Sequence, residues 1–214
     1  MNKIESMYVH IPFCKNICSY CDFCKILYLD EYAKKYVDAL IKEIKEDKPQ
    51  KCKTIYIGGG TPTSLNNDDL EKLLKFLSSY LKKDCEFSIE INPETIDENK
   101  IKLLSKYKIN RVSIGVQSTN CNILNLLERK HSVRDVITCV NLLNKYNIKN
   151  YSFDFIYGVK NQKKKDIKKD INFALKNNAK HLSFYSLYIE KNTKLYLKGF
   201  SDETQDRSEE HTSE

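Results

Sequence analysis

Cys14-Lys15-Asn16-Ile17-Cys18-Ser19-Tyr20-Cys21 sets three thiols in one short stretch with the spacing C-x3-C-x2-C. Thiolates suit soft metals, so Fe–S and Zn are the candidate guests. A structural Zn site closes on four ligands, usually as two C-x2-C pairs. Here a single trio shares one loop, and Zn would have to recruit Cys24 as its fourth ligand. Three thiolates on a four-iron cube leave one iron without a protein ligand, free to hold a small molecule.

Other residues able to do chemistry lie downstream. Gly58-Gly59-Gly60-Thr61 offers backbone N–H groups and no Cβ, so a ligand can approach the main chain. No Gly-Lys-Ser/Thr follows, which argues against a phosphate loop; a plain strand-to-helix turn is the bland alternative. Glu90 and Asp154 are carboxylates inside apolar runs, costly unless partnered, with ion pairs at strand ends as the alternative. Arg129 is a rare arginine in a chain with 32 Lys and 4 Arg. Arginine is favoured where a planar fork must grip a carboxylate; the alternative is a solvated helix position. His10 is expected to pack in a strand, and His131 and His181 to be structural or on the surface. Cys52, Cys85, Cys121 and Cys139 lack ligand spacing and are expected to be buried, inert thiols. Cys24 reads as a spare ligand, an oxidation liability or a packed thiol, the last being the default expectation.

Elements must carry these residues to one place. Met7–Phe13, Lys53–Ile57, Glu86–Asn92, Arg111–Gln117, Tyr151–Tyr157 and His181–Ile189 read as strands. Between them, apolar residues recur at helical spacing in 30–46 (with Asp30 as its cap), 68–81, 97–107, 120–127, 133–146 and 163–176. Such alternation predicts an α/β fold of parallel strands joined by right-handed crossovers. A doubly wound sheet and a barrel both fit, and both gather chemistry at the carboxyl ends of the strands. The cysteine loop, the glycine run, Glu90 and Gln117 fall at those ends, and Asp154 lies within the fifth strand.

The 214 residues suit one domain, and 36 basic against 29 acidic groups give +7. The stretch from Ser201 to Glu214 breaks the pattern, with six acidic residues and no aliphatic or aromatic one. Its end, Arg207-Ser208-Glu209-Glu210-His211-Thr212-Ser213-Glu214, resembles the translation of a sequencing-adapter oligonucleotide, so 201–214 is expected to be non-native and the true gene to continue. Dropping residues 202–214 removes one basic and six acidic groups and takes the balance to +12. Lysine and asparagine excess of the kind AT-rich codons produce explains that balance without a nucleic-acid partner. No apolar run reaches the roughly 20 residues of a membrane span, and Met1–Ser6 has no secretory h-region. A clustered thiol set without a secretory signal points to a reducing, cytoplasmic setting.

Several ordered motifs now make the sequence recognisable. They are Tyr8-Val-His10-Ile-Pro-Phe-Cys14-x3-Cys18-x-Tyr20-Cys21-Asp-Phe23, Gly58-Gly-Gly-Thr61-Pro-Thr63, Glu90 in Ile-Glu-Ile-Asn-Pro-Glu, Gln117 in Ser-Ile-Gly-Val-Gln-Ser, Arg129 in Leu-Glu-Arg-Lys-His, and Asp154 in Phe-Asp-Phe-Ile-Tyr-Gly. Together, over about residues 6–200, they resemble the radical S-adenosylmethionine (SAM) superfamily. Within it they resemble the branch of HemW-type haem chaperones and oxygen-independent coproporphyrinogen III oxidases. The resemblance implies a partial (β/α)6 barrel of parallel strands with outer helices, over a core domain of residues 1–200. It implies a 4Fe–4S cluster on Cys14, Cys18 and Cys21, with SAM chelating the fourth iron and cleaved to a 5′-deoxyadenosyl radical. SAM contacts would come from Gly59, Gly60 and Thr61 (amino group), Glu90 (accepting from the cofactor), Gln117 and Arg129 (polar ends), and Asp154 (a ribose hydroxyl or the sulfonium region). Tyr8 would stand near the cluster, Tyr20 against SAM, and Ser186 on the adenine side. Haem or a porphyrin, and an electron donor such as flavodoxin or ferredoxin, are the implied partners.

Within that branch the oxidases resemble C-x3-C-x2-C-x-C, with another Cys two residues after the third ligand. Phe23 holds that place here, and thirteen residues precede Cys14 where the oxidases have more. Both features favour the chaperone reading over radical decarboxylation. Gly158-Val159-Lys160-Asn161-Gln162 departs from the relatives' Gly-Leu-Pro-Gly-Gln, so its turn must rely on Asn161 in a left-handed conformation. A C-terminal domain bearing part of the haem-facing surface is expected to be missing.

Overall fold

The computed structural model describes residues 5–201, so Met1–Ile4 and the adapter-like residues 202–214 lie outside it. Six parallel strands form one sheet: β1 (Ser6–Ile11), β4 (Cys52–Gly59), β5 (Leu81–Ile91), β6 (Arg111–Gln117), β7 (Tyr151–Tyr157) and β8 (His181–Ser186). They follow one another in chain order, β1-β4-β5-β6-β7-β8. A doubly wound sheet reverses its order at a switch point; this one does not, and it has the topology of a barrel left open between β1 and β8. The expected strand–helix alternation is therefore present, with six strands as read from the sequence.

Each strand alternates. Val9 and Ile11, Ile55 and Ile57, Phe87 and Ile89, Val112 and Ile114, and Phe153 and Phe155 are all buried on one face. That face is covered by α1 (Asp30–Asp47), α2 (Asn67–Ser78), α3 (Glu98–Lys106), α5 (Val133–Lys145) and α6 (Lys164–Lys176). Each helix presents a stripe at helical spacing, such as Leu70, Leu73, Leu74 and Leu77 of α2. The other face carries Tyr56, Ser88, Glu90, Ser113, Ser152, Asp154 and Ser183, which line polar cavities.

Some local expectations change. Strand β1 stops before Pro12, and Phe13–Cys14 (β2) pairs instead with Ile26–Leu27 (β3). The cysteine loop is thus closed at its base by its own ladder. The third sheet strand starts earlier than expected, at Leu81, with a register shift against β4, and β8 ends at Ser186. Asp30 does not cap α1. Leu29 is the cap residue, and Asp30 accepts from Tyr28 Oη at 2.7 Å and Asn66 Nδ2 at 2.8 Å. Asn66, Asp97 and Ser132 cap α2, α3 and α5 through N–H groups in their first turns.

A smaller apolar cluster lies beyond the carboxyl ends. Ile156, Val159, Leu187, Ile189 and Leu195 pack with Ile123 and Leu127 of the segment around α4 (Cys121–Leu126), and Tyr20 of the cysteine loop leans on it. Leu195 belongs to the short α7 (Lys194–Leu197). Among the described residues no helix is long and apolar enough to cross a membrane.

Phe153 sits at 0% exposure among Phe155, Phe173 and Tyr151. Phe153→Ala is expected to cost about 3–5 kcal/mol, read as a lower urea midpoint at unchanged slope. Leu197→Ala, at 78% exposure, is expected to stay within about 0.5 kcal/mol.

Candidate cofactor site

A cavity of about 470 Å³ opens at the carboxyl ends of the strands. Cys14, Cys18 and Cys21 line it, with Tyr20, Gly59, Gly60, Thr61, Glu90, Gln117, Arg129, Asp154 and Ser186. Twelve of the thirteen residues singled out from the sequence therefore face one space. Tyr8 is the exception. It is 59% exposed, stacks on Tyr56 with ring centroids 6.1 Å apart, and bonds His10 Nδ1 at 3.1 Å, without lining the cavity.

The cysteine loop is sewn to its surroundings through the main chain. Ser19 N donates to Leu127 O at 3.2 Å, Ser19 Oγ to Leu126 O at 2.8 Å, and Leu195 N to Ser19 O at 2.9 Å. Lys194 Nζ reaches Ile17 O at 2.9 Å and Glu128 at 2.8 Å. His10 is bonded rather than merely packed: its Nε2 lies 3.0 Å from Cys24 O. Cys24 and Cys121 are both exposed, against expectation. Cys24 projects from the loop outside the cavity lining, and Cys121 opens α4 on its solvent side. Cys52, Cys85 and Cys139 are buried as expected.

The glycine run works by close approach. A Cβ on Gly60 would stand 2.7 Å from Pro12 O and 3.0 Å from Cys14 Sγ, and Gly59 has φ +118°. Only glycine lets β4 pass this near the cysteine loop. The expected free donors are absent, because Gly59 N donates to Glu90 Oε2 at 3.2 Å, Gly60 N to Ile11 O at 2.9 Å and Thr61 N to Phe13 O at 2.9 Å. The segment thus contributes shape rather than unpaired N–H groups.

Glu90 Oε1 also accepts from Tyr56 Oη at 2.7 Å, and Asp154 Oδ2 accepts from Ser113 Oγ at 2.5 Å. Burial pushes both carboxyls above their ordinary range, against the pull of those hydrogen bonds. Burial likewise pushes the Cys14 and Cys21 thiols up. A thiolate in such a place needs positive compensation, and a coordinating metal supplies it. Gln117 holds a left-handed φ of +65°, uncommon for a residue other than glycine. The following turn is pinned by buried Asp170 of α6, which accepts from Thr119 N at 2.6 Å.

Arg129 is not on a helix surface. Its Nη2 donates to Asn92 Oδ1 at 2.7 Å and Gly115 O at 2.8 Å, and its Nη1 lies 3.5 Å from Cys18 Sγ. Its Nε is buried with no hydrogen-bond partner. An orphaned guanidinium donor beside a cavity is what an incoming carboxylate would satisfy, and three thiols on one wall are a donor set for iron. The residues present therefore fit a thiolate-held cluster and an amino-acid ligand.

Asn92, Glu94, Lys100 and His131 escaped the sequence reading as site residues. Asn92 bridges Thr61 Oγ1 at 2.9 Å to Arg129. Burial pushes the Glu94 carboxyl up, but the facing His131 ring and the Arg129 charge outweigh it and hold the group below its usual range. Lys100 Nζ donates to Thr63 O at 2.5 Å and Thr95 O at 3.2 Å, stapling the turns that follow β4 and β5. Asn92 and Glu94 carry one sequence signal, adjacency to Pro93, whereas Lys100 and His131 carry none.

The family model of the radical SAM superfamily matches residues 8–174, and the chain belongs to that superfamily. Membership implies a 4Fe–4S cluster and SAM. Within it, the chain is 38% identical over 201 residues to the haem chaperone HemW of Bacillus subtilis (strain 168), covering 90% of this chain and 53% of that protein. It is 32% identical over 179 residues to the anaerobic coproporphyrinogen III oxidase 1 of Cereibacter sphaeroides, covering 79% and 39%. Among solved structures, the Escherichia coli coproporphyrinogen III oxidase HemN, a radical SAM enzyme, matches with TM-score 0.84 at 27% identity, over 94% of this chain and 48% of that one. The chain spans about half the length of the curated relatives it matches.

Burial draws Lys100 from the ordinary 10.5 down to about 8. Between these values the unfolded chain holds the proton more tightly, so stability relative to Lys100→Met is expected to rise with pH from about 8 to 10.5 and to be flat below. The slope is at most about 1.4 kcal/mol per pH unit. Urea titrations of both proteins across that range check it, and a falling difference would contradict it.

Proposed function

We propose that Cys14, Cys18 and Cys21 hold a 4Fe–4S cluster and that the intact protein is a haem chaperone of the HemW kind, using cluster and SAM to regulate or drive haem transfer. The observation that carries the cofactor reading is the convergence of three thiols, the buried Arg129 with its unpartnered Nε, and two half-buried carboxylates on one cavity. Bound there, cluster and SAM supply one-electron reductive chemistry at the sulfonium.

The residues around that centre have separable tasks. Gly59 and Gly60 keep the wall thin enough for close approach. Arg129 offers Nε to a carboxylate, Glu90 and Asp154 accept from ammonium and hydroxyl groups, and Gln117 and Ser186 give polar contacts at the rim. Tyr20, half-buried between two of the thiols, excludes water. A single bound Zn is disfavoured. Cys24, its required fourth ligand, does not line the cavity.

The choice of chaperone over oxidase rests on Phe23, which stands where the oxidase pattern has a further Cys, and on the identity to HemW proteins. Radical decarboxylation of coproporphyrinogen III is the second reading, supported by the fold match to that enzyme. A flavodoxin- or ferredoxin-like donor and a cytoplasmic setting complete the proposal. Residues 1–200 form the core domain on this reading, and haem binding is assigned to the whole protein, of which half the relatives' length has no counterpart here.

Cys18→Ala is expected to abolish the broad absorbance near ~400 nm of the reconstituted cluster; an unchanged spectrum would refute the ligand assignment. Anaerobic incubation of the intact gene product with SAM and coproporphyrinogen III is expected to yield no protoporphyrinogen. Its formation would defeat the chaperone reading in favour of the oxidase.

A further inference from the structure

The orphaned polar atoms of the described residues are concentrated in one place. Of four buried side-chain atoms without a well-aligned hydrogen-bond partner, three are Arg129 Nε, Glu94 Oε2 and His131 Nδ1. Glu94 Oε2 lies 3.8 Å from Arg129 Nη2 and 3.3 Å from His131 Nδ1. The two basic side chains are essentially sealed from water, at 3% and 0% side-chain exposure. His131 Nε2 faces Val116 O at 2.9 Å. A carbonyl only accepts, so Nε2 carries a proton. The other ring nitrogen then faces a carboxylate, and two acceptors cannot face each other at this distance in a dry site. A proton must lie between Nδ1 and Oε2. Glu94 and His131 thus form a proton-sharing pair wedged behind Arg129. The pair spans the turn after β5 and the segment before α5, and is anchored at the end of β6.

Asn92 and Gly115 occupy both protons of Nη2. They fix one end of the guanidinium, with Nη1 at the Cys18 sulfur on the other, but all three are uncharged or weakly polar partners for a buried cation. Glu94 is the only carboxylate facing that guanidinium among the contacts described. We propose that Glu94 and His131 are positioning residues that support the buried Arg129 guanidinium from behind, so that its Nη1 stays at the Cys18 sulfur on the cavity wall. The role for a ligand carboxylate rests on the cofactor reading above; the clamp itself does not.

The chain has four arginines, so their Nε–Hε signals are resolvable in a heteronuclear NMR spectrum of the 214-residue protein without cofactor. In Glu94→Ala the Arg129 signal is expected to exchange with water about tenfold faster than in the unaltered protein. Affinity of the cluster-loaded protein for SAM, measured by calorimetry at matched iron and sulfide content, is expected to fall about tenfold. Glu94→Gln can donate to a neutral His131 Nδ1 and is expected to restore both readouts, which a simple loss of stability would not predict. If Glu94→Ala does not fold, Glu94→Asp, which retracts the carboxylate by one methylene, takes its place with the same expectation. Unchanged exchange and affinity in the Ala or Asp variant would overturn the proposal. So would a Gln variant as impaired as Ala, because charge rather than orientation would then be the cause. Should the loaded, unaltered protein fail to bind SAM while the Arg129 signal still responds to Glu94, the cofactor reading fails and the clamp stands.

Discussion

Desolvated charge governs the carboxyl end of this sheet. A guanidinium buried as deeply as Arg129 is tolerable only with compensation on every side. The chain supplies it from four directions: the Cys18 sulfur, the Asn92 amide oxygen, the Gly115 carbonyl and the Glu94 carboxylate. None of these reaches Nε. The thiols pose the mirror problem, since burial raises Cys14 and Cys21 and makes their thiolate forms costly. A ligand bringing positive charge to the sulfurs and negative charge to the arginine resolves both costs at once. A ligand that binds the folded state more tightly than the unfolded chain stabilises it by mass action.

That corner exists because the sheet has two unlike faces. Parallel strands covered on both sides normally read as continuous apolar runs. Here β5, β6 and β7 alternate, with Phe87, Ile89, Val112, Ile114, Phe153 and Phe155 turned to the helices and Ser88, Glu90, Ser113, Ser152 and Asp154 turned inward. A closed barrel fills its interior with side chains. An open arc of six strands with a hydroxyl- and carboxylate-lined interior keeps that space for polar ligands. The hydrogen bonds Ser113–Asp154 and Tyr56–Glu90 keep the two carboxylates in place when nothing is bound.

What the sequence revealed follows from this arrangement. Cys14, Gly60, Glu90, Gln117 and Asp154 were legible because each is a residue type that is costly or permissive in its local setting, and a parallel α/β fold sends strand ends to one rim. Asn92, Glu94, Lys100 and His131 were not. Their types are ordinary, and their meaning lies in partners far along the chain, as between Lys100 and Thr63 or Asn92 and Arg129. Cys24 and Cys121 were misread because a thiol's burial depends on which side of its element meets the core. Tyr8 alternates correctly onto the inner face but sits too near the start of β1 to reach the cavity. Asp30 is drawn from its helix cap by Tyr28 and Asn66, contacts that no local rule anticipates.

The departure at 158–162 shows how shape survives a changed sequence. The Pro and Gly expected from relatives are replaced by Lys160 and Asn161, yet Asn161 adopts φ +67° and supplies the left-handed step. Buried Gln162 closes the turn, accepting from Val159 N and donating to Ile156 O, both at 3.2 Å. Val159 and Ile156 are thereby held in the cluster that also packs Leu195 and touches Tyr20. Tyr20 lies between Cys18 and Cys21, and Leu195 N bonds the adjoining Ser19. The turn therefore acts on the cysteine loop through packing and the Leu195–Ser19 hydrogen bond, and its backbone geometry is constrained even where its residues are not.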